Sequence, residues 1–147
     1  REGVIDFLDQ LARINITKAL ITDLTAQIQF RKLVYLELDQ RFEYVVTSEE
    51  SGEDKPHPSS FEIAMNKLYP STGLNAPELQ KRNIWMIGDN VDSDLKGAKE
   101  AINATTLGIK SELGDRNRSP SIDMLFDSFR DLEQFIYTKG WDRTSDK

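Results

Sequence analysis

The densest chemical signal in the chain is Gly88-Asp89-Asn90-Val91-Asp92-Ser93-Asp94, which follows the apolar run Ile84-Trp85-Met86-Ile87. Carboxylates this close repel one another unless a cation sits among them, and hard oxygen donors favour Mg2+ or Ca2+. Capping of the next helix accounts for Asp92 or Asp94 but not for Asp89, which stands earlier, at the strand tip. Asp92 to Gly97 opens like an EF-hand loop. Lys96 then falls where an oxygen ligand belongs and Asn103 where glutamate belongs, so that reading fails. Upstream, Thr22-Asp23-Leu24-Thr25 ends another apolar run. A hydroxyl and free backbone N–H groups at a strand-to-helix turn suit an oxyanion, most naturally phosphate; capping by Thr25 or Asp23 is the alternative. Lys55 lies in Glu53-Asp54-Lys55-Pro56-His57-Pro58. The prolines fix the chain direction, so the lysine can project into a site and pair with phosphate or carboxylate; a solvated charged turn is the alternative. His57, the single histidine, reads as a surface turn residue. No Walker phosphate loop, G-x-G-x-x-G or G-x-S-x-G is present.

The elements that must position these residues follow from hydrophobic periodicity. Val4, Ile5, Leu8, Leu11 and Ala12 predict a helix over residues 2–14, and Lys18–Ile21 a strand buried on both faces. Residues 25–37 read as a helix, Tyr44–Thr47 as a strand, Ser48–Ser60 as a polar loop, and Phe61, Ala64, Met65 and Leu68 as a third helix. Pro70–Lys81, with Gly73 and Pro77, is a polar connection. Ile84–Ile87 is the clearest buried strand, with Gly88 turning the chain sharply after it. A helix over 93–102, a strand Thr105–Ile109, a loop Lys110–Ser121, an edge strand Met124–Phe126 and a final helix around Leu132, Phe135 and Ile136 complete the order. Alternating helices and strands argue for an α/β fold with an open, mainly parallel sheet covered on both faces. In such sheets the chemistry sits at the carboxyl ends of the strands. Thr22, Lys55 and Asp89 all stand at such ends.

Composition sets the outer limits. The chain has 147 residues, 38% hydrophobic and 30% charged, which suits one domain with a buried core. The absence of cysteine removes disulfides, thiolate metal sites and a cysteine nucleophile, and one histidine leaves no multi-histidine zinc site. With 25 acidic against 19 basic residues and a net charge of -6, nucleic acid is not an expected partner. No apolar run approaches the ~20 residues of a membrane helix, so no membrane partner is expected, and a cytoplasmic setting is the default.

Thr22, then Lys55 in Lys-Pro-His-Pro, then Gly88-Asp89 with Asp94 five residues on, in this order on successive strand ends, closely resembles the haloacid dehalogenase (HAD) superfamily of phosphohydrolases. Leu20-Ile21-Thr22-Asp23 resembles its second motif, the Lys55 region its third, and Ile87–Asp94 its fourth. The likeness runs from about Gly3 to about Phe135. The resemblance implies a three-layer Rossmann-like core. It implies a Mg2+-dependent phosphatase acting on a small phosphorylated metabolite, through an aspartyl-phosphate. Thr22, Asp23 and Lys55 would bind the phosphoryl group, with Thr22 and Lys55 also serving catalysis. Asp89 and Asp94 would hold Mg2+, with Asp92 a weaker candidate. The family's first motif, Asp-x-Asp at the end of a central strand, has no counterpart here; the only Asp-x-Asp is Asp92-Ser93-Asp94. The expectation is therefore a core over residues 1–139 that lacks its first strand, followed by a tail over 140–147. On this expectation Arg1 marks where a longer protein is interrupted, and this exact chain is inactive until a further segment or partner strand completes the core. A non-catalytic binding or regulatory module of the same fold is the alternative. A receiver-type domain is disfavoured, because its acidic pair comes early in the chain.

Overall fold

The computed structural model describes residues 1–70 and 84–139. Most of the connection expected over Pro70–Lys81, and the tail 140–147, lie outside the described residues. The elements are α1 (Val4–Arg13), β1 (Ala19–Thr22), α2 (Ala26–Tyr35), β2 (Tyr44–Thr47), the single turn α3 (Ser48–Ser51) and α4 (Pro58–Leu68). After the undescribed connection come β3 (Trp85–Gly88), a π-helical turn Val91–Lys96 and α5 (Gly97–Ile102). The remainder is β4 (Thr105–Ile109), the short α6 (Lys110–Leu113), a 3-10 turn Gly114–Arg118, β5 (Met124–Phe126) and α7 (Phe129–Lys139). The strands and long helices fall where periodicity put them. Two expected loops hold short helices instead, α3 and α6, each too brief to carry a periodic signal.

Every described strand pair is parallel, but the strands form two sheets. One is β1-β2, with Leu20 opposite Val45 and Thr22 opposite Thr47. The other is β3-β4-β5, with Ile87 opposite Leu107 and Gly108 opposite Leu125. β1 and β3 each have a described partner on one side only. This explains a departure from the expected burial. Lys18–Ile21 and Ile84–Ile87 read as fully buried strands, yet all four residues of β1 and all four of β3 are half-buried. Among the described residues the unpaired side of each strand leaves backbone and side chain partly open.

Helices cover the strands from both faces. On one, α4 packs against β1, β2 and α5. Phe61 of α4 is fully buried and shares a cluster with Ala98 and Ala104, against Ile21 of β1 and Met86 of β3. Gly97 permits this approach, since a Cβ there would lie 3.0 Å from the Phe61 ring and 3.1 Å from Pro56. On the other face α1 and α7 supply Phe7, Leu11, Phe129, Leu132 and Ile136, which close over Leu107, Ile109 and Phe126 with Trp85 and Ile87 packed against them. The alternation in β3 is thus split, Met86 toward α4 and α5, Ile87 toward α1 and α7. At the far end of β1 a clasp ties the two strands. Glu43 accepts from the Lys18 amide at 2.7 Å and from its buried ammonium at 3.0 Å, while the Glu43 amide donates to Lys18 O. Among the described residues no helix is long and apolar enough to cross a membrane.

Candidate active site

A cavity of about 260 Å³ opens at the carboxyl ends of β1 and β3, between the two sheets. Ile21 forms one side, Met86, Ile87 and Gly88 the other, and Lys55, Asp89 and Asp94 supply its charge.

Lys55 is the hub. Its side chain is 9% exposed, and its ammonium lies 2.9 Å from Asp94 Oδ1 and 3.7 Å from Asp23 Oδ2. It also donates to Ile21 O at 3.3 Å, so it ties the tip of β1 to the turn after β3 across the cavity. Its backbone amide donates to Asp23 Oδ1 at 2.9 Å. One carboxylate therefore grips Lys55 at both ends, and the solvated-turn alternative does not apply to this lysine.

Asp94 is buried beside it. Besides Lys55, it accepts from the Asn90 amide at 3.2 Å. Gly88 makes the place for it, because a Cβ on Gly88 would meet Asp94 Cβ at 2.6 Å and Oδ2 at 2.9 Å. The glycine expected as a sharp turn is the last residue of β3, and its service is space rather than backbone freedom. The π-helical turn lets Asp94 reach that space; the Asp94 and Leu95 amides both donate to Asn90 O, so the first turn is wide enough to bring Asp94 back over the strand end. Capping, which the sequence offers to Asp92 or Asp94, falls to Asn90, whose Oδ1 accepts from the Asp92 and Ser93 amides at 3.0 Å each.

Asp89 projects at the cavity mouth with its side chain half exposed, and pairs with Arg1 at 2.7 Å. Arg1 also contacts Glu112 at 2.7 Å. Asp92 turns outward to a two-pronged pair with Arg116 at 2.5 and 2.8 Å. The hydrogen bond from Arg116 holds the Asp92 carboxyl below the usual carboxylate range, which occupies both its oxygens outside the cavity. Thr22 and Asp23 flank the cavity without lining it. The Thr22 hydroxyl donates to Gln29 Oε1 at 3.1 Å and accepts from the Leu24 amide at 3.2 Å. Capping of α2 comes from neither Thr25 nor Asp23: its first amide donates to Glu49, and Thr25 makes no side-chain cap. His57 caps α4, its Nδ1 accepting from the Ser59 amide, as befits a turn residue.

The structure thus brings Lys55, Asp89 and Asp94 together and sets Thr22 and Asp23 behind them. Sequence reading missed the buried Gln29 under Thr22, the Arg1–Asp89–Glu112 bridge and the Arg116 clamp. Gln29, a buried amide on a helix one strand end away, is the only one with a local signal. The donor types suit a hard divalent cation, for which one or two carboxylates and water are an ordinary shell. Among the described residues no group of three or more metal-binding side chains converges.

Comparison with known proteins shows the family. The family described as haloacid dehalogenase-like hydrolase matches residues 1–109. The glyceraldehyde 3-phosphate phosphatase of Methanocaldococcus jannaschii is 30% identical over 132 residues, covering 90% of this chain and 54% of that protein. The ribulose-1,5-bisphosphate 5-phosphatase of Halopiger xanaduensis is 30% identical over 112 residues, covering 76% of this chain and 43% of that one. Among solved structures, a HAD phosphatase from Thermococcus onnurineus superposes with a TM-score of 0.76 at 24% identity, over 92% of this chain and 57% of its own. The chain spans about half the length of the curated relatives it matches.

Proposed function

The chain belongs to the haloacid dehalogenase-like hydrolase family, and we propose that it forms the larger part of the core of a Mg2+-dependent phosphomonoester hydrolase. The substrate class is a small phosphorylated sugar or related metabolite, in keeping with the relatives named as glyceraldehyde 3-phosphate and ribulose-1,5-bisphosphate phosphatases. The observation that carries the reading is the convergence of Lys55, Asp89 and Asp94 on one cavity at the strand ends.

Phosphoryl transfer is governed by positioning and charge neutralisation. Asp89 and Asp94 would hold Mg2+, which supplies positive charge to the phosphoryl oxygens when bound. Lys55, fixed by Asp23, Asp94 and Ile21 O, points its ammonium at the same space and adds a charge that needs no rearrangement. Thr22, held by Gln29 and the Leu24 amide, would offer its hydroxyl to a phosphoryl oxygen entering from above β1. Asp23 serves the phosphate through Lys55. The attacking carboxylate belongs on a parallel strand lying between β1 and β3, where the described residues supply none. On this reading the described residues need such a strand before substrate can be turned over.

The test is release of phosphate from p-nitrophenyl phosphate and glyceraldehyde 3-phosphate by the complete protein, with and without Mg2+. Hydrolysis that needs Mg2+ and is lost in Asp89→Asn is expected. A protein that binds phosphate yet turns over no phosphomonoester is the non-catalytic module, and the reading fails.

A further inference from the structure

Arg1 has no place in the chemistry above, yet it touches the acid assigned to the metal. The segment before α1 is laid against the start of α7. Gly3, in the left-handed region at φ 79, sits so close that a Cβ there would lie 3.5 Å from the Arg130 amide and 3.6 Å from Phe129, itself a wall of the cavity. That path carries Arg1 to the cavity mouth. There its guanidinium forks: Nη2 lies 2.7 Å from Asp89 Oδ2 and Nη1 2.7 Å from Glu112 Oε1. Asp89 comes from the tip of β3 and Glu112 from α6, so one arginine spans two strand-end loops.

A guanidinium in contact with Asp89 and a divalent cation on the same carboxylate repel each other strongly at this range. Arg1 on Oδ2 therefore opposes a metal on the same carboxylate, and binding is eased when Arg1 steps back. The fork makes this easy, because Nη1 already holds a second carboxylate. We propose that Arg1 and Glu112 act as a coupled pair that sets the cation affinity of Asp89: Arg1 competes for the carboxylate, and Glu112 retains Arg1 when the metal displaces it. This rests on the reading of Asp89 as a metal-binding acid.

The side chains are 39%, 51% and 43% exposed for Arg1, Asp89 and Glu112, so water and salt screen both contacts. Exposed pairs of this kind are weak, and losing one shifts a competing equilibrium by roughly two- to fivefold. The experiment is Mn2+ titration of the complete protein, reading free Mn2+ by electron paramagnetic resonance. Arg1→Gln tightens Mn2+ binding by roughly two- to fivefold, and the gain shrinks as ionic strength rises. Glu112→Gln weakens Mn2+ binding by a similar factor in the natural background, since Arg1 then has only Asp89. In an Arg1→Gln background Glu112→Gln changes nothing, because its effect passes through Arg1. Arg1→Lys keeps the charge but loses the fork, and lies between the natural protein and Arg1→Gln.

Three results overturn the pair: no tightening in Arg1→Gln, equal weakening by Glu112→Gln in both backgrounds, or Arg1→Lys indistinguishable from the natural protein. The last would make the effect one of field alone. Asp89→Asn serves as the separate control. If it leaves Mn2+ binding intact, the metal assignment itself fails; if it abolishes binding while Arg1→Gln is silent, only the Arg1–Glu112 proposal falls.

Discussion

Replacing Lys55 by methionine tests the hub of the site. The side chains of Lys55 and Asp94 are 9% and 10% exposed and in contact at 2.9 Å. Methionine keeps much of the aliphatic stem but removes the ammonium. Asp94 then keeps its charge in a near-buried place with the Asn90 amide at 3.2 Å as its nearest remaining strong donor. Breaking one side of a buried pair costs about 3–5 kcal/mol, and the open cavity beside Asp94 admits water, which puts this case near ~3 kcal/mol. Loss of the bond to Ile21 O adds about 1 kcal/mol, and it also removes a tie between the two sheets. The Lys55 amide still donates to Asp23, so the loop itself stays in place. For a protein of this size the combined ~4 kcal/mol lowers the melting temperature by roughly 8–16 °C. Asp94→Asn is milder, about 1–2 kcal/mol, since Lys55 retains Asp23 and Ile21 O. The double variant Lys55→Met with Asp94→Asn recovers part of the loss, with a coupling of roughly 1–3 kcal/mol. Urea titration followed by circular dichroism measures all four corners of the cycle. If Lys55→Met lies within about 0.5 kcal/mol of the natural protein, or the two changes simply add, the ion pair is not holding the sheets and the argument from burial is wrong.

Two other outcomes follow from the geometry. Gly88→Ala sets a methyl group 2.6 Å from Asp94 Cβ, an atom fixed to backbone that cannot swing aside; it costs about 1–3 kcal/mol and dislodges Asp94 from Lys55. An unchanged melting temperature in a thermal scan contradicts it. Glu43 concerns pH: burial raises its carboxyl, but the hydrogen bonds from the Lys18 amide and ammonium outweigh this and leave it lowered from 4.5. A lowered folded value means the stabilisation is complete above the unfolded value and is lost as pH falls through the folded one. The natural protein should therefore exceed Glu43→Gln by about 1 kcal/mol near neutrality, a figure kept small because the carboxylate is partly exposed, and the two should converge as pH falls through the lowered folded value. A gap that persists in acid would place the clasp's contribution in its geometry rather than its charge.

Much of this protein is written locally. The strands Tyr44–Thr47, Thr105–Ile109 and Met124–Phe126 are short runs rich in apolar and β-branched residues, and their positions are legible because a pleated strand buries what periodicity marks. The acidic turn is legible for a similar reason: three aspartates within six residues leave little choice but a cation or a set of separate partners, and Asn90, Lys55, Arg116 and Arg1 turn out to divide them. The order Thr22, Lys55, Asp89 points to chemistry at strand ends, since parallel sheets gather those ends along one edge.

The pairing of charges across the fold was not written there. Asp23 lies beside Thr22 in sequence and suggests a share in the phosphate site, but its carboxylate closes on Lys55, 32 residues away. Arg1 reaches Asp89 across 88 residues, and Arg116 reaches Asp92 across 24. A charged side chain carries no periodicity that points at its partner; its direction is set by where the backbone of a distant element comes to rest. The same holds for Gly88, whose meaning changed from a turn to a clearance once Asp94 was seen folded back over it. By itself the sequence determined the strands, the helices and the types of donor at the strand ends, because burial and spacing act over a few residues. Which carboxylate faces the cavity, which one is taken by an arginine, and that β1 and β3 stand on opposite sides of one cleft, only the tertiary structure decided, because those are contacts between elements that no local pattern encodes.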